Sequence, residues 1–233
     1  MMAYPTMFQC MIRSDGTCFH LRSMLNNAYE DDCVCNVRPR VPGSLGQDIP
    51  DCTSGEWVIG SLAMNIHKVS VFVFQNGKIK ISGGSKSYQP EDDYEDWLRT
   101  KVIVPVMLVV HKLNGTLFRQ DTLQWDLCLL NGSMTLGPLR NYRQLCTDIC
   151  AGVAGHPFFE SAIMPVCYQP NGWLKKRGRV CSVALRWSSS TNKKGSILRF
   201  DHGGRVQFFA VKSVDELRRA GTELQNWTFK LMH

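Results

Sequence analysis

Apolar and polar positions alternate along this chain in a way that predicts short strands broken by few helices. Residues 7–13 alternate and predict a strand, which Ser14-Asp15-Gly16 ends. Over residues 19–27, Phe19/Leu21 and Met24/Leu25 fall at helical spacing and predict a short helix. Residues 33–37 predict a short strand. Residues 38–55 hold three Pro and three Gly and predict a loop. Residues 57–66 are apolar and fit either element. Residues 69–84 carry the clearest signal: a β-branched and aromatic strand, the pair Asn76-Gly77, and a return through Ile79 and Ile81. Asn-Gly supplies the left-handed backbone of a tight turn, so this is a hairpin. Pro90 and the acids at 91–93 then open a helix whose apolar face is Tyr94, Trp97 and Leu98. Its end is ambiguous, because 102–110 is β-branched and contains Pro105.

The second half follows the same order. Residues 125–136 predict a strand. Residues 139–145 open a helix with Tyr142, Leu145, Ile149 and Val153 on one side. An apolar strand ends near Tyr168, and residues 170–195 form a basic insertion with a possible strand at 180–187. A second hairpin occupies 196–211, followed by a helix at 213–229 with Ser213 as N-cap and Glu216 three residues on. Both hairpins place a Phe before a Gly turn (Phe74, Phe200) and a cation after it (Lys78, Arg205). Leu21-Arg22-Ser23 matches Leu139-Arg140-Asn141 at an offset of 118, and Gly77 matches Gly203 at an offset of 126. The chain reads as one module used twice, with boundaries at 1–115 and 116–233.

Charge sharpens this division. Residues 1–100 hold 9 Lys/Arg and 12 Asp/Glu; residues 101–233 hold 18 and 8. From Trp173 to Lys212 there are ten cations and one acid, Asp201, interleaved with Trp187, Phe200, Phe208 and Phe209. Cations to displace counterions and aromatics to engage bases suit a polyanion such as nucleic acid. The run 102–110 is too short to span a bilayer, so no membrane partner is expected, and the N-terminus shows no signal-peptide pattern. The ten cysteines have irregular spacing and no Cys-x-x-Cys pair, which points to reduced thiols in an intracellular compartment. No metal or cofactor is expected.

Residues 72–83, Phe-Val-Phe-Gln-Asn-Gly-Lys-Ile-Lys-Ile-Ser-Gly, resemble the hairpin of the TATA-binding protein family: apolar, x, Phe, x, Ser, Gly, Lys, x, apolar, x, Thr, Gly. Gly16 to Met24 looks like the family's turn into its first helix, and Pro138-Leu139-Arg140 like the same point in the second lobe. The resemblance implies an α+β fold: two pseudo-symmetric lobes forming a curved antiparallel sheet, a saddle, with helices on the convex face. It implies binding to the minor groove of double-stranded DNA, where apolar wedges enter base steps and bend the duplex. The implied wedges are Phe74 and Phe200, with Phe72 and Leu198 two positions back, Ser82 and Phe208 on the returning strands, and Phe158 or Phe159 as a further wedge. Lys78, Lys80, Lys193, Lys194, Arg199 and Arg205 are the implied phosphate contacts. The implied role is transcription initiation in the nucleus, or at a viral transcription site, with factors like IIB and IIA and an RNA polymerase assembly. Three features depart from the family. The matching wedge of the first lobe falls near Cys33 or Val34, the family's base-reading Asn positions fall near Phe8 and Cys128, and the Lys after the second turn is displaced by Gly204 to Arg205.

A second resemblance competes. Asp15-Gly16-Thr17-Cys18-Phe19 is similar to the nucleophile segment of ovarian-tumour-type cysteine proteases. There Cys18 would attack from a helix N-terminus, with His111 as its base. That reading leaves the basic second half without a role.

Overall fold

The computed structural model describes residues 2–13, 18–40, 59–89, 91–137, 139, 141–163, 168–169, 172–173, 182–189, 192–201 and 203–232. The chain divides into two compact units, Phe8–Cys128 (the first unit) and Met1–Met7 with Leu129–His233 (the second). Strands β1 (Tyr4–Arg13) and β6 (Gln124–Thr135) each contribute residues to both. Among the described residues, no helix is long and apolar enough to cross a membrane.

The first unit contains α1 (Leu21–Tyr29), β2 (Val34–Arg40), β3 (Ser61–Ile66), β4 (Val69–Phe74), β5 (Lys78–Gly84), α2 (Tyr94–Leu98) and α3 (Val104–Leu113). Its strands run in the order β2-β3-β4-β5-β1, and the pairs along β2 to β5 are antiparallel. Strand alternation sends Val69, Val71, Val73, Ile79 and Ile81 to one face, where they are buried. Phe8 and Trp97 meet edge to face there at 6.2 Å, so this face carries the helices. Asp93 caps α2, its Oδ1 accepting from the Asp96 N–H at 2.8 Å. The β-branched stretch 102–110 is helical. Pro105 sits at the start of α3 and lacks an N–H, and a π-helical turn at Arg99–Ile103 precedes it. A wider turn of this kind absorbs the lost hydrogen bond without ending the helix.

The second unit contains α4 (Tyr142–Gly152), β7 (Ser161–Ile163), β8 (Tyr168–Gln169), β9 (Gly172–Trp173), β10 (Ser182–Ser189), β11 (Asn192–Asp201), β12 (Arg205–Val211) and α5 (Val214–Met232). Its main strands run β6-β12-β11-β10-β7 with antiparallel pairing, and β8 pairs with β9 apart from them. Helix α5 lies against the sheet closely enough that a Cβ on Gly132 would meet Leu217, and one on Gly221 would meet Met134. The Ser213 Oγ accepts from the Glu216 N–H at 3.1 Å, the expected N-cap. The Glu216 carboxylate turns inward and accepts from Trp187 Nε1, Ser196 Oγ and the Lys212 N–H. Within the basic insertion 170–195, residues 170–171, 174–181 and 190–191 lie outside the described residues.

Candidate nucleic-acid interface

The strand face of each unit away from its helices is the candidate surface for a ligand. In the first unit it carries Ser70, Phe72 and Phe74 from β4, all half-buried, between the buried valines. Register brings neighbours alongside: Phe72 pairs with Ala63 on one side and Lys80 on the other, and Phe74 pairs with Ser61, opposite Arg40. The Arg40 guanidinium lies 5.1 Å from the centre of the Phe72 ring, and Lys80 Nζ lies 5.9 Å from it. An aromatic ring thus sits between two cations on a helix-free sheet face. Ser82 shares the face through its pairing with Ser70, and Lys78 is exposed at the start of β5.

The second unit departs from the expectation at one residue, with large consequences. Val73 pairs with Ile79 and Phe200 with Val206, so the two hairpins match at an offset of 127 rather than 126. Gly204 has φ +72°, as Gly77 has +80°, and Gly203 is not in the left-handed region. Gly204 is therefore the turn glycine, and Arg205 follows it directly, as Lys78 follows Gly77. Phe200 is then the counterpart of Val73, not of Phe74. It is fully buried, its ring edge-on to Tyr142 at 6.0 Å, while the Tyr142 hydroxyl donates to the Phe200 carbonyl at 2.8 Å. Burial holds the Tyr142 phenol well above its ordinary range.

Leu198 and Phe208 are corrected in the same way. Both are fully buried, and Phe208 packs 3.7 Å from where a Cβ on Gly221 of α5 would stand. Phe158 and Phe159 also lie on the helix side. Phe159 is buried against His156, Trp187 and Trp227, and Phe158 lies under Arg219 of α5 at 5.2 Å. None of these five can act as a wedge on the helix-free face. Of Lys193 and Lys194, the backbone belongs to β11 and the side chains lie outside the described residues.

What the second unit presents on its helix-free face is Arg199, exposed, with its guanidinium 5.6 Å from the centre of the Phe209 ring. Ile197 pairs with Phe209 and with Arg186, and Arg199 pairs with Gln207. Arg205 is exposed but ion-paired to Asp201 at 2.9 Å. Arg40 and Arg186 were missed from the sequence, and Phe209 stood out there only as one aromatic among the cations of 173–212. Matching Gly77 to Gly204 would have found Phe209, since that offset sets it opposite Ser82.

Asp15, Gly16 and Thr17 of the cysteine-protease resemblance lie outside the described residues, and among those described no hydrogen bond joins Cys18 to His111. Cys18 precedes the His20 N-cap of α1 and is not in its first turn. His111 is buried, its Nδ1 meets Thr116 Oγ1 at 2.9 Å, and its ring lies against Phe19 and Phe118. Burial pushes the Cys10 and Cys146 thiols up to about 12. Among the described residues, no group of His, Cys, Asp or Glu is arranged to hold a metal ion.

No protein-family model matches the chain. No curated protein matches it by sequence. Among solved structures, the TBP of Methanococcus jannaschii matches with a TM-score of 0.56 over 99% of this chain and 99% of that one, at 13% sequence identity. The chain therefore has an α+β fold like that of TBP.

Proposed function

We propose that this protein binds double-stranded DNA through the helix-free sheet faces of its two units and acts in transcription initiation. The observation that carries the reading is an aromatic ring beneath cationic side chains on each helix-free face: Phe72 under Arg40 and Lys80, and Phe209 under Arg199. Cations there engage phosphates, and rings beneath them offer apolar surface to sugars and base steps. The likeness of fold to an archaeal TBP supports the same reading. Its finer parts are also proposals: that the two units are copies of one module, that the minor groove is the site, and that factors like IIA and IIB and a polymerase assemble on it. So are action in the nucleus or at a viral transcription site, and phosphate contacts by Lys193 and Lys194.

The revised contact set alters the expected mechanism. Phe74, at the turn end of β4, remains a candidate wedge of the first unit. In the second unit its counterpart is Asp201, and Phe209 takes the apolar role from the returning strand. A fluorescence-transfer assay on end-labelled duplexes of varied A·T content tests this. Wild-type protein should bring the duplex ends closer, and Phe74→Ala and Phe209→Ala should each reduce the transfer. Unchanged transfer in both variants, with binding intact, would refute the wedge assignment.

A further inference from the structure

The second unit holds a cleft on its helix side, of about 800 Å³, between the segment 153–160, strand β10 and the start of α5. Its lining is unlike the rest of that half of the chain. Residues 101–233 contain only eight acids, and three of them, Glu160, Asp215 and Glu216, line this cleft. Among the described residues, the one cation in the lining is Arg219. The volume lies within the range of ligand sites, and the walls combine aromatic surface with a few polar groups, as such sites do.

The carboxylates have different duties. Glu216 is committed to the fold, its oxygens taken by Trp187, Ser196 and the Lys212 N–H. Glu160 accepts from the Ser188 N–H and hydroxyl at Oε1. Among the described residues, no hydrogen bond or ion pair engages its Oε2 or the exposed Asp215 carboxylate. Two carboxylates outside any ion pair therefore face the cleft beside the half-buried Phe158 ring, with Arg219 the one cation among the described lining residues. Arg219 already lies over Phe158 at 5.2 Å, so the wall accepts a guanidinium at close range.

We propose that this cleft receives an Arg or Lys side chain from an extended basic segment of a protein partner. The charged head pairs with Glu160 and Asp215, and its aliphatic stem lies along the half-buried Phe158 ring. The sign of the lining selects against a nucleic acid, whose phosphates would meet the same two carboxylates. The cleft therefore recruits protein, while the cationic sheet face of the same unit is left free.

The test uses the full chain, ¹⁵N-labelled, and the peptide acetyl-Gly-Arg-Gly-Arg-Gly-amide. The Trp187 indole N–H, which donates to Glu216, reports on the cleft wall. Its resonance should shift saturably with the Arg peptide and stay still with the Glu counterpart. The combined variant E160Q/D215N should weaken binding at least fivefold. Asp215→Lys, at an exposed position, should abolish the shift while leaving the rest of the spectrum folded. Duplex DNA added in place of the peptide should leave this resonance unmoved. The proposal is overturned by no saturable shift, by equal response to the Glu peptide, by unchanged affinity in both variants, or by an equal shift with DNA alone.

Discussion

Two phenylalanines separate core from surface in this chain. Phe200 is fully buried against Tyr142, and Phe72 is half-buried under Arg40 and Lys80. Phe200→Ala removes a whole ring from the core and is expected to cost about 3–5 kcal/mol in urea unfolding. Phe72→Ala should cost only about 1 kcal/mol, since it loses cross-strand and cation–π contacts at a partly exposed site. The order should reverse for DNA: Phe72→Ala weakens binding measured by fluorescence anisotropy, and folded Phe200→Ala binds nearly as wild type. His156 makes a third residue-scale case. Its Nδ1 accepts the N–H groups of Phe158 and Phe159, each at 3.1 Å, and its ring lies 4.3 Å from Trp227. Burial lowers its pKa below the ordinary 6.5, a shift that Lys230 reinforces and Glu223 opposes. A histidine held neutral in the folded state binds fewer protons than in the unfolded chain. Its stability contribution is therefore present above pH 6.5 and lost as pH falls through the lower folded value. Urea midpoints should drop from pH 7.5 to 5, and His156→Phe should show a shallower drop despite lower stability at pH 7.5. Lowering of the His111 pKa by burial leaves a residual slope in that variant.

At the scale of elements, hydrophobic periodicity made most of the fold legible. Strand β1, helix α1, the hairpin β4–β5, strand β6 and helix α5 with its Ser213 cap are all written as alternation, helical spacing or turn chemistry. The phase of the second hairpin was not. Gly203-Gly204 offers two glycines for one left-handed position, and sequence alone does not say which is used. Strand β12 hides its phase as well. Val206 and Phe208 face the core, and then a bulge with Ala210 at φ +59° brings Val211 inward instead of residue 210. A one-residue slip sends every side chain of a strand to the other face, which is how Phe200 and Leu198 came to look like surface residues. The turn assignment has a direct check. A Cβ at Gly204 would stand 1.8 Å from the Gly137 carbonyl oxygen, at a φ that L residues rarely adopt. Gly204→Ala should therefore destabilise by well over about 1 kcal/mol. A Cβ at Gly203 meets only Asp201 Oδ1, at 3.2 Å, and Gly203→Ala should be far milder. Equal losses in thermal melts would contradict the register drawn for this hairpin.

For the molecule as a whole, the charge asymmetry pointed to a polyanion, and each unit sets at least one cation over an aromatic ring on its helix-free face. The cysteine-protease resemblance shows the converse. A five-residue match specified residue types, but the fold engages His111 with Thr116 and leaves Cys18 ahead of the helix. The central claim is that DNA is held by the sheet faces and not by the helices. The most direct measurement is the salt dependence of duplex affinity for two double variants of equal charge. Arg40→Gln with Arg199→Gln alters the sheet faces; Arg99→Gln with Lys101→Gln alters exposed positions beside α3. Each lost phosphate contact should flatten the slope of log K against log salt by about 0.9. The sheet-face variant should lose affinity and flatten the slope by roughly two, while the helix-side variant stays near wild type. Equal effects from the two pairs, or a loss confined to the helix side, would contradict the assignment of the sheet faces as the DNA-binding surface.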